Sequence, residues 1–186
     1  MANNCFYTMK VVAKNENAIN RLLSVMRYED NEFFIYRCNS AYLTSMHKEG
    51  EFFVGMVGGD VAWSCYRWIT DNENKNEKLC TGYITGKGGI RVSQYGPAHY
   101  APLTVVCRNL NIGIEIFSQE AGIGFQEHYI IDHRGAVVVN EEENWLQDWW
   151  DDDNDCEREE PIETGGFSYY GNFNDASSII EGKDIL

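Results

Sequence analysis

Several stretches carry residue types whose spacing can support chemistry. GYITGKGG, Gly82–Gly89, is the nearest to a phosphate cradle. Such a cradle reads G-x-x-x-x-G-K-[ST]: backbone N–H groups surround the phosphates and the hydroxyl holds magnesium. Here three residues, not four, separate Gly82 from Gly86, and Gly88 stands where the hydroxyl is needed. A plain glycine loop fits that spacing better. His128 and His133 lie five apart beside Glu127 and Asp132. A metal needs several ligands converging, and strand positions five apart face opposite ways. Asp132-His133 is also ordinary turn chemistry. Nucleophilic catalysis would need a cysteine beside a histidine, and six cysteines with four histidines make chance pairings easy. No signature joins them. No catalytic residue, metal or cofactor is therefore assigned. A small enzyme or nucleotide-binding domain using the Gly82–Gly89 loop and a Cys/His pair stays as the alternative.

The strongest signal is charge. From Asn140 to Glu163 the sequence holds twelve acids and one base, Arg158, or −11 of the chain's −14. A field of that sign repels phosphate backbones and attracts basic protein surfaces, so direct nucleic-acid binding is not expected. In NWLQDWW, Trp145 and Trp149 are four apart, as are Leu146 and Trp150. On a helix capped by Asn144 they form one apolar stripe, with Glu141–Glu143 at its positive end. Trp145, Trp149 and Trp150 then anchor an acidic arm whose root is ordered. Asp151, Asp152, Asp153, Asp155, Glu157, Glu159 and Glu160 emerge from that point as partner-binding candidates. A solubilising charge run is the plainer alternative. A calcium loop is disfavoured because DDDNDCEREE lacks the central glycine. Trp63, Tyr66, Arg67 and Trp68 form a second candidate surface, like a base-stacking set. Their plainer reading is a core strand with large aromatics on both faces.

The elements that must position these residues are partly legible. CFYTMKVVA reads as a strand. Asn15 caps a helix over ENAINRLLSVM, where Ala18, Ile19, Leu22, Leu23 and Met26 recur at helical spacing. A second strand is expected over Phe33–Tyr42. Phe52–Ile69 reads as a hairpin turning at Gly58-Gly59-Asp60. Pro102 opens a helix through Asn109, and a three-strand meander follows over Ile112–Glu120, Gly124–Asp132 and Ala136–Asn140. The segment after Gly165 can supply an edge strand. Strand, helix, strand and then helix with meander define an α+β layer. The domain runs over 1–140, interrupted by a glycine- and aromatic-rich insertion at about 46–97. An acidic, Trp-anchored extension fills 141–186. No run of about 18 apolar residues suggests a membrane span. Without a basic and then apolar leader, the six cysteines read as reduced thiols of a cytoplasmic protein.

ANNCFYTMKVVAKNENAINRLL resembles the opening of the YubB-type ferredoxin-like domains, with their Asn-x-Cys strand leading into a helix. IGIEIFSQEAGIGFQEHYIIDHRGAVVV resembles their closing meander, through Glu120, Gly122, Gly124 and Phe125. The likeness covers residues 2–45 and 98–140. The family's Trp-Ser-Pro-Pro is represented only by Trp63-Ser64, and the acidic extension lies outside its pattern. The resemblance implies a ferredoxin-like antiparallel sheet with two helices on one face, and a plasmid or phage origin in a bacterial host cell. It transfers no activity. Joined to the charge, that origin gives the functional expectation: a non-enzymatic inhibitor of a basic nucleic-acid-binding protein such as a Cas nuclease, an anti-defence role of the anti-CRISPR kind, acting as a nucleic-acid mimic.

Overall fold

The computed structural model of the protein describes residues 4–27, 29–30, 38–62, 102–120, 124–144, 146–151, 156–161 and 171–185. Its core starts with β1, Asn4–Ala13, where alternate residues are apolar. Asn15 then breaks the strand. Its extended backbone and side-chain oxygen, which accepts from the Ala18 N–H at 3.0 Å, start α1, Glu16–Met26. This is the cap expected from the sequence; such a cap contributes about 1 kcal/mol. One face of α1 buries Ile19, Leu22 and Met26, each at 1% exposure or less, and each such side chain contributes roughly 1.5–3 kcal/mol.

The chain continues with β2, Cys38–Glu49, and β3, Phe52–Ala62, paired antiparallel with Glu49 opposite Phe52. The turn is therefore Gly50-Glu51, and Gly50 takes a φ of 61°, which suits glycine at the first position of a two-residue hairpin loop. The expected turn at Gly58-Gly59-Asp60 is corrected: β3 runs straight through it. Gly59 is there for a close approach. A Cβ at that position would lie 2.0 Å from the Ser40 carbonyl oxygen and 2.5 Å from the Tyr7 hydroxyl. The second strand also runs further than expected. Residues 33–37 lie outside the described residues, and β2 runs on to Glu49. Residues 46–49 and 52–62, expected to belong to an insertion, are strands of the sheet.

Pro102 precedes α2, Leu103–Leu110, which ends at Asn111 in the left-handed region. The meander follows as β4 (Ile112–Glu120), β5 (Phe125–Ile131) and β6 (Val137–Asn144). The six strands form one antiparallel sheet in the order β2-β3-β1-β4-β5-β6. One apolar cluster joins Met9 and Val11 of β1, Ile114 and Ile116 of β4 and Tyr129 of β5 to the inward residues of α1 and α2. A smaller cluster joins Val12, Val54 and Ile130 to Ala176, Ile179 and Ile180 of α3, Ala176–Glu181. Over Ala176–Glu181 the C-terminal segment is thus a helix that packs back on the sheet; residues 165–170 of the expected edge strand lie outside the described residues. Among the described residues no helix is long and apolar enough to cross a membrane.

The acidic stretch differs most from expectation. Leu146–Asp151 forms β7 and pairs antiparallel with Cys156–Pro161, β8. A helix of six or seven residues is marginal by itself, and tryptophan favours the extended state. Pairing the two segments satisfies their backbones without a helix.

Candidate functional site: the acidic edge and the charged network behind it

β6 carries Glu141, Glu142 and Glu143 and is the last strand of the sheet. Its position depends on a charged network under the C-terminal segment. Glu115 on β4 is fully buried. Its carboxylate accepts from the Asn174 backbone N–H at 2.7 Å and from the Asn174 amide at 2.8 Å. The His128 Nε2 lies 2.8 Å from the same carboxylate, and its Nδ1 lies 2.9 Å from Glu141 Oε2. Carboxylate oxygens only accept, so the ring nitrogen that carries a proton is the donor, and the tautomer sets which one that is. Phe117 stacks on the imidazole with ring centroids 4.2 Å apart, and Phe173 meets Phe117 edge-on. Beside this cluster Lys10 donates to Glu49 and to the Asn174 carbonyl, each at 2.8 Å. Glu49 in turn accepts from the Ala176 N–H at 2.7 Å.

The network ties five strands, β1, β2, β4, β5 and β6, to the C-terminal segment, and it grips that segment mainly by its backbone. It also fixes Glu141, whose side chain remains 45% exposed. Glu143 is held by the Gln126 amide. Burial opposes ionisation of Glu49, but the Lys10 ammonium and the Ala176 N–H outweigh it and hold this carboxyl below its ordinary range. The same balance governs Asp132 in the β5–β6 turn. Burial is offset by the Arg134 guanidinium and by the N–H groups of Ala136 and Arg134, so its carboxyl is also lowered.

The candidates from the sequence fall unevenly on this frame. Asp151 ends β7, and Glu157, Glu159 and Glu160 lie on β8. Trp149 and Trp150 lie on β7, in register with Arg158 and Glu157. They are strand residues, so the helical stripe expected for them is corrected. Trp145, Asp152, Asp153, Asp155, Trp63, Tyr66, Arg67, Trp68 and the Gly82–Gly89 loop lie outside the described residues. His128 and His133 separate as their spacing requires: His133 bonds the Ile180 carbonyl instead. Among the described residues no group of three or more His, Cys, Asp or Glu side chains is arranged to hold a metal ion. Cys5, Cys38 and Cys107 are buried free thiols. Burial, reinforced by Asp60, pushes Cys38 up to about 12 despite its hydrogen bonds to Tyr7 and Ser40. Burial likewise pushes the Cys107 thiol up, with Asp132 adding to it. Thiols held protonated are poor nucleophiles.

Sequence reasoning missed Glu115, Lys10 and Asn174. Glu115 alternates with isoleucines and so reads as solvent-facing. The available signal was its company, because Gly113 and Phe117 share its face and point to a covered surface. Compared with family models, curated proteins and solved structures, the chain matches none.

Proposed function

We propose that this chain is a non-enzymatic mobile-element protein that binds and inhibits a basic, nucleic-acid-handling host protein in the bacterial cytoplasm. A Cas nuclease is the concrete case. The carboxylates of its acidic hairpin occupy lysine and arginine sites that otherwise hold phosphates. The observation that carries this reading is the register of β7 and β8. Asp148 stands directly opposite Glu159, and Glu157 and Glu160 also lie on β8. Like charges opposed across a strand pair are destabilising, on a scale of roughly 0.2–1 kcal/mol per pair. A basic partner relieves that repulsion, so the hairpin is more stable in a complex than alone. The contacts come from Asp151, Asp152, Asp153, Asp155, Glu157, Glu159 and Glu160, with Trp145, Trp149 and Trp150 fixing their base. Trp63, Tyr66, Arg67 and Trp68 form a secondary surface.

A finer reading of the fold accompanies it. The order β2-β3-β1-β4, with α1 following β1 and α2 following β3, supports a ferredoxin-like unit with both helices on one face. On this reading β5 and β6 are added beside β4, and residues 141–186 are an extension. This order supports the resemblance to YubB-type domains and the mobile-element origin it implies.

The test is DNA cleavage by a panel of Cas nucleases in the presence of the chain. One form is native and the other has the seven acids changed to Asn or Gln. Inhibition by the native form should weaken as salt rises, because the competition is electrostatic, and the neutralised form should lose it. Equal inhibition by both forms would sink the mimicry, and failure to inhibit any nuclease would sink the assignment to this partner.

A further inference from the structure

A second site lies at the end of the sheet where β6 begins. The residue after β1, the β2–β3 turn, the β5–β6 turn and the end of α3 enclose a cavity of about 340 Å³, within the range of small-molecule sites. Lys14, Arg134 and Lys183 line it, with His133, Glu51 and Glu181. Three cations converging on one cavity stand out in a chain of net charge −14.

What these groups leave uncommitted defines the ligand. Arg134 is oriented from behind: its Nε donates to Asp132 Oδ2 at 2.7 Å, and Nη2 bonds the same carboxylate. Asp132 is itself fully buried and held by the N–H groups of Arg134 and Ala136. The Arg134 side chain stays 62% exposed, so its outer edge presents a fixed planar donor of the kind that suits phosphate. Lys14 is exposed and has no ion-pair partner among the described residues. Lys183 reaches Glu181 at 3.3 Å, but both side chains are more than half exposed, so that pair holds it weakly.

The helix ends at this site do not reverse the charge preference. A helix C-terminus favours cations through its free carbonyls, and three carbonyls at these ends already have donors. Ile180 O accepts from the His133 N–H at 3.1 Å and from its Nδ1, and Ser178 O accepts from Gly182 and Lys183. The Cys107 carbonyl accepts from Asn111. The acids of β6 lie farther along that strand. Glu141–Glu143 are four to six residues from Val137, or roughly 14–20 Å at about 3.4 Å per residue. That is about two screening lengths at physiological salt. Glu51 is the one carboxylate of the cavity with no partner among the described residues, and it can accept a hydroxyl.

We propose that this cavity binds a small phosphate-bearing organic molecule of sugar-phosphate or mononucleotide size. Arg134 and Lys14 grip the phosphate, Lys183 closes over it, and Glu51 accepts a hydroxyl of the organic part. The site is independent of the acidic hairpin and stands whether or not that reading holds.

Calorimetric titration of the full chain at fixed ionic strength tests this. The probes are ribose 5-phosphate and uridine monophosphate, with ribose and uridine as uncharged counterparts and citrate as a polyanion without phosphate. Saturable binding of a phosphorylated probe is expected, with none for its uncharged counterpart. The Lys14→Glu/Lys183→Glu form alters two exposed side chains. It should melt as the parent does and bind roughly tenfold or more weakly, as removal of close charge partners does. Glu51→Gln keeps a hydroxyl acceptor and removes a negative charge, so it should bind at least as tightly as the parent. Four results would overturn the proposal: no binding of either phosphorylated probe at millimolar concentration, equal binding of citrate, unchanged binding after the double charge reversal, or weaker binding by Glu51→Gln.

Discussion

Replacing Glu115 by alanine removes the centre of the charged network. The carboxylate meets three groups at 2.7–2.8 Å: the Asn174 N–H, the Asn174 side-chain amide and the His128 ring. A hydrogen bond to a charged group contributes about 1.5–3 kcal/mol, but three bonds sharing one acceptor are not additive. The better measure is the cost of leaving buried donors without an acceptor, about 1–3 kcal/mol for each. Against a total stability of about 5–15 kcal/mol for a domain, Glu115→Ala leaves the fold marginal. Glu115→Gln keeps the shape and one acceptor, but turns an amide N–H toward one of the three donors. Its cost should be about 1–3 kcal/mol, that of one unsatisfied buried group. Urea unfolding at neutral pH measures both, as a shift in midpoint at unchanged slope.

The loss also has a location. Asn174 begins the segment that carries α3, where the Ile179 N–H bonds Asp175 O and the Gly182 N–H bonds Ser178 O. Hydrogen exchange of those two amides should accelerate before that of β1 or β4. A loss below about 1 kcal/mol for the alanine form, smaller than one such bond, would refute the reasoning. So would unchanged exchange at Ile179 and Gly182.

Two further predictions concern acid and packing. Asp132 and Glu49 have carboxyls lowered in the folded state. Their contribution is therefore present above the unfolded values of about 3.9 and 4.3 and is lost as pH falls through the lower folded values. Melting temperature should drop steeply below about pH 4, and Asp132→Asn should flatten that drop while lowering the neutral-pH plateau; an unaltered profile would contradict it. Gly59→Ala drives a Cβ to within 2.0 Å of the Ser40 carbonyl oxygen, so β2 and β3 must separate locally. A loss of about 1–3 kcal/mol or more is expected by urea unfolding, and a neutral substitution would mean that β3 does not pass there.

The parts of the fold that could be read from sequence are those fixed by local chemistry. Asn15 has only one good use before an apolar helical stripe, and it caps α1. Pro102 ahead of Leu103, Val106 and Leu110 starts α2 for the same kind of reason. The isoleucines of β4 alternate, and Asp132–Gly135 can only turn, so the meander was visible too. What escaped depends on contacts remote in sequence. Gly58-Gly59 has the composition of a turn, and only the Ser40 carbonyl across the sheet explains why glycine is needed inside a strand. Trp149 and Trp150 suit a helical stripe until Cys156–Pro161 is available as a pairing partner. The C-terminal segment has the glycine- and aromatic-rich composition of an edge strand, and it forms a helix over Ala176–Glu181 where Glu49 and Glu115 receive backbone N–H groups of Ala176 and Asn174. Of the candidate surface, charge placement was legible from composition. The network that holds Glu141 in place was not, because Lys10, Glu115 and His128 each read singly as a polar residue on a solvent face.

That network has a positional consequence more than an energetic one. Apolar side chains of similar volume would often be as stabilising as a buried ion cluster, or more so. The bonds of Glu115 and His128 to Asn174 and Glu141 have a geometry that apolar packing lacks. A slip of one residue in β6 would carry Glu141 to the other face of the sheet and break the bond to His128. The imidazole therefore specifies the register of the last strand, and with it the face on which each acid of Glu141–Glu143 stands. An edge strand studded with charge resists pairing with another sheet, so β6 is poorly suited to strand addition. On the proposed function, recognition of a basic partner there would proceed through side chains, and the fixed placement of carboxylates would decide which surface fits.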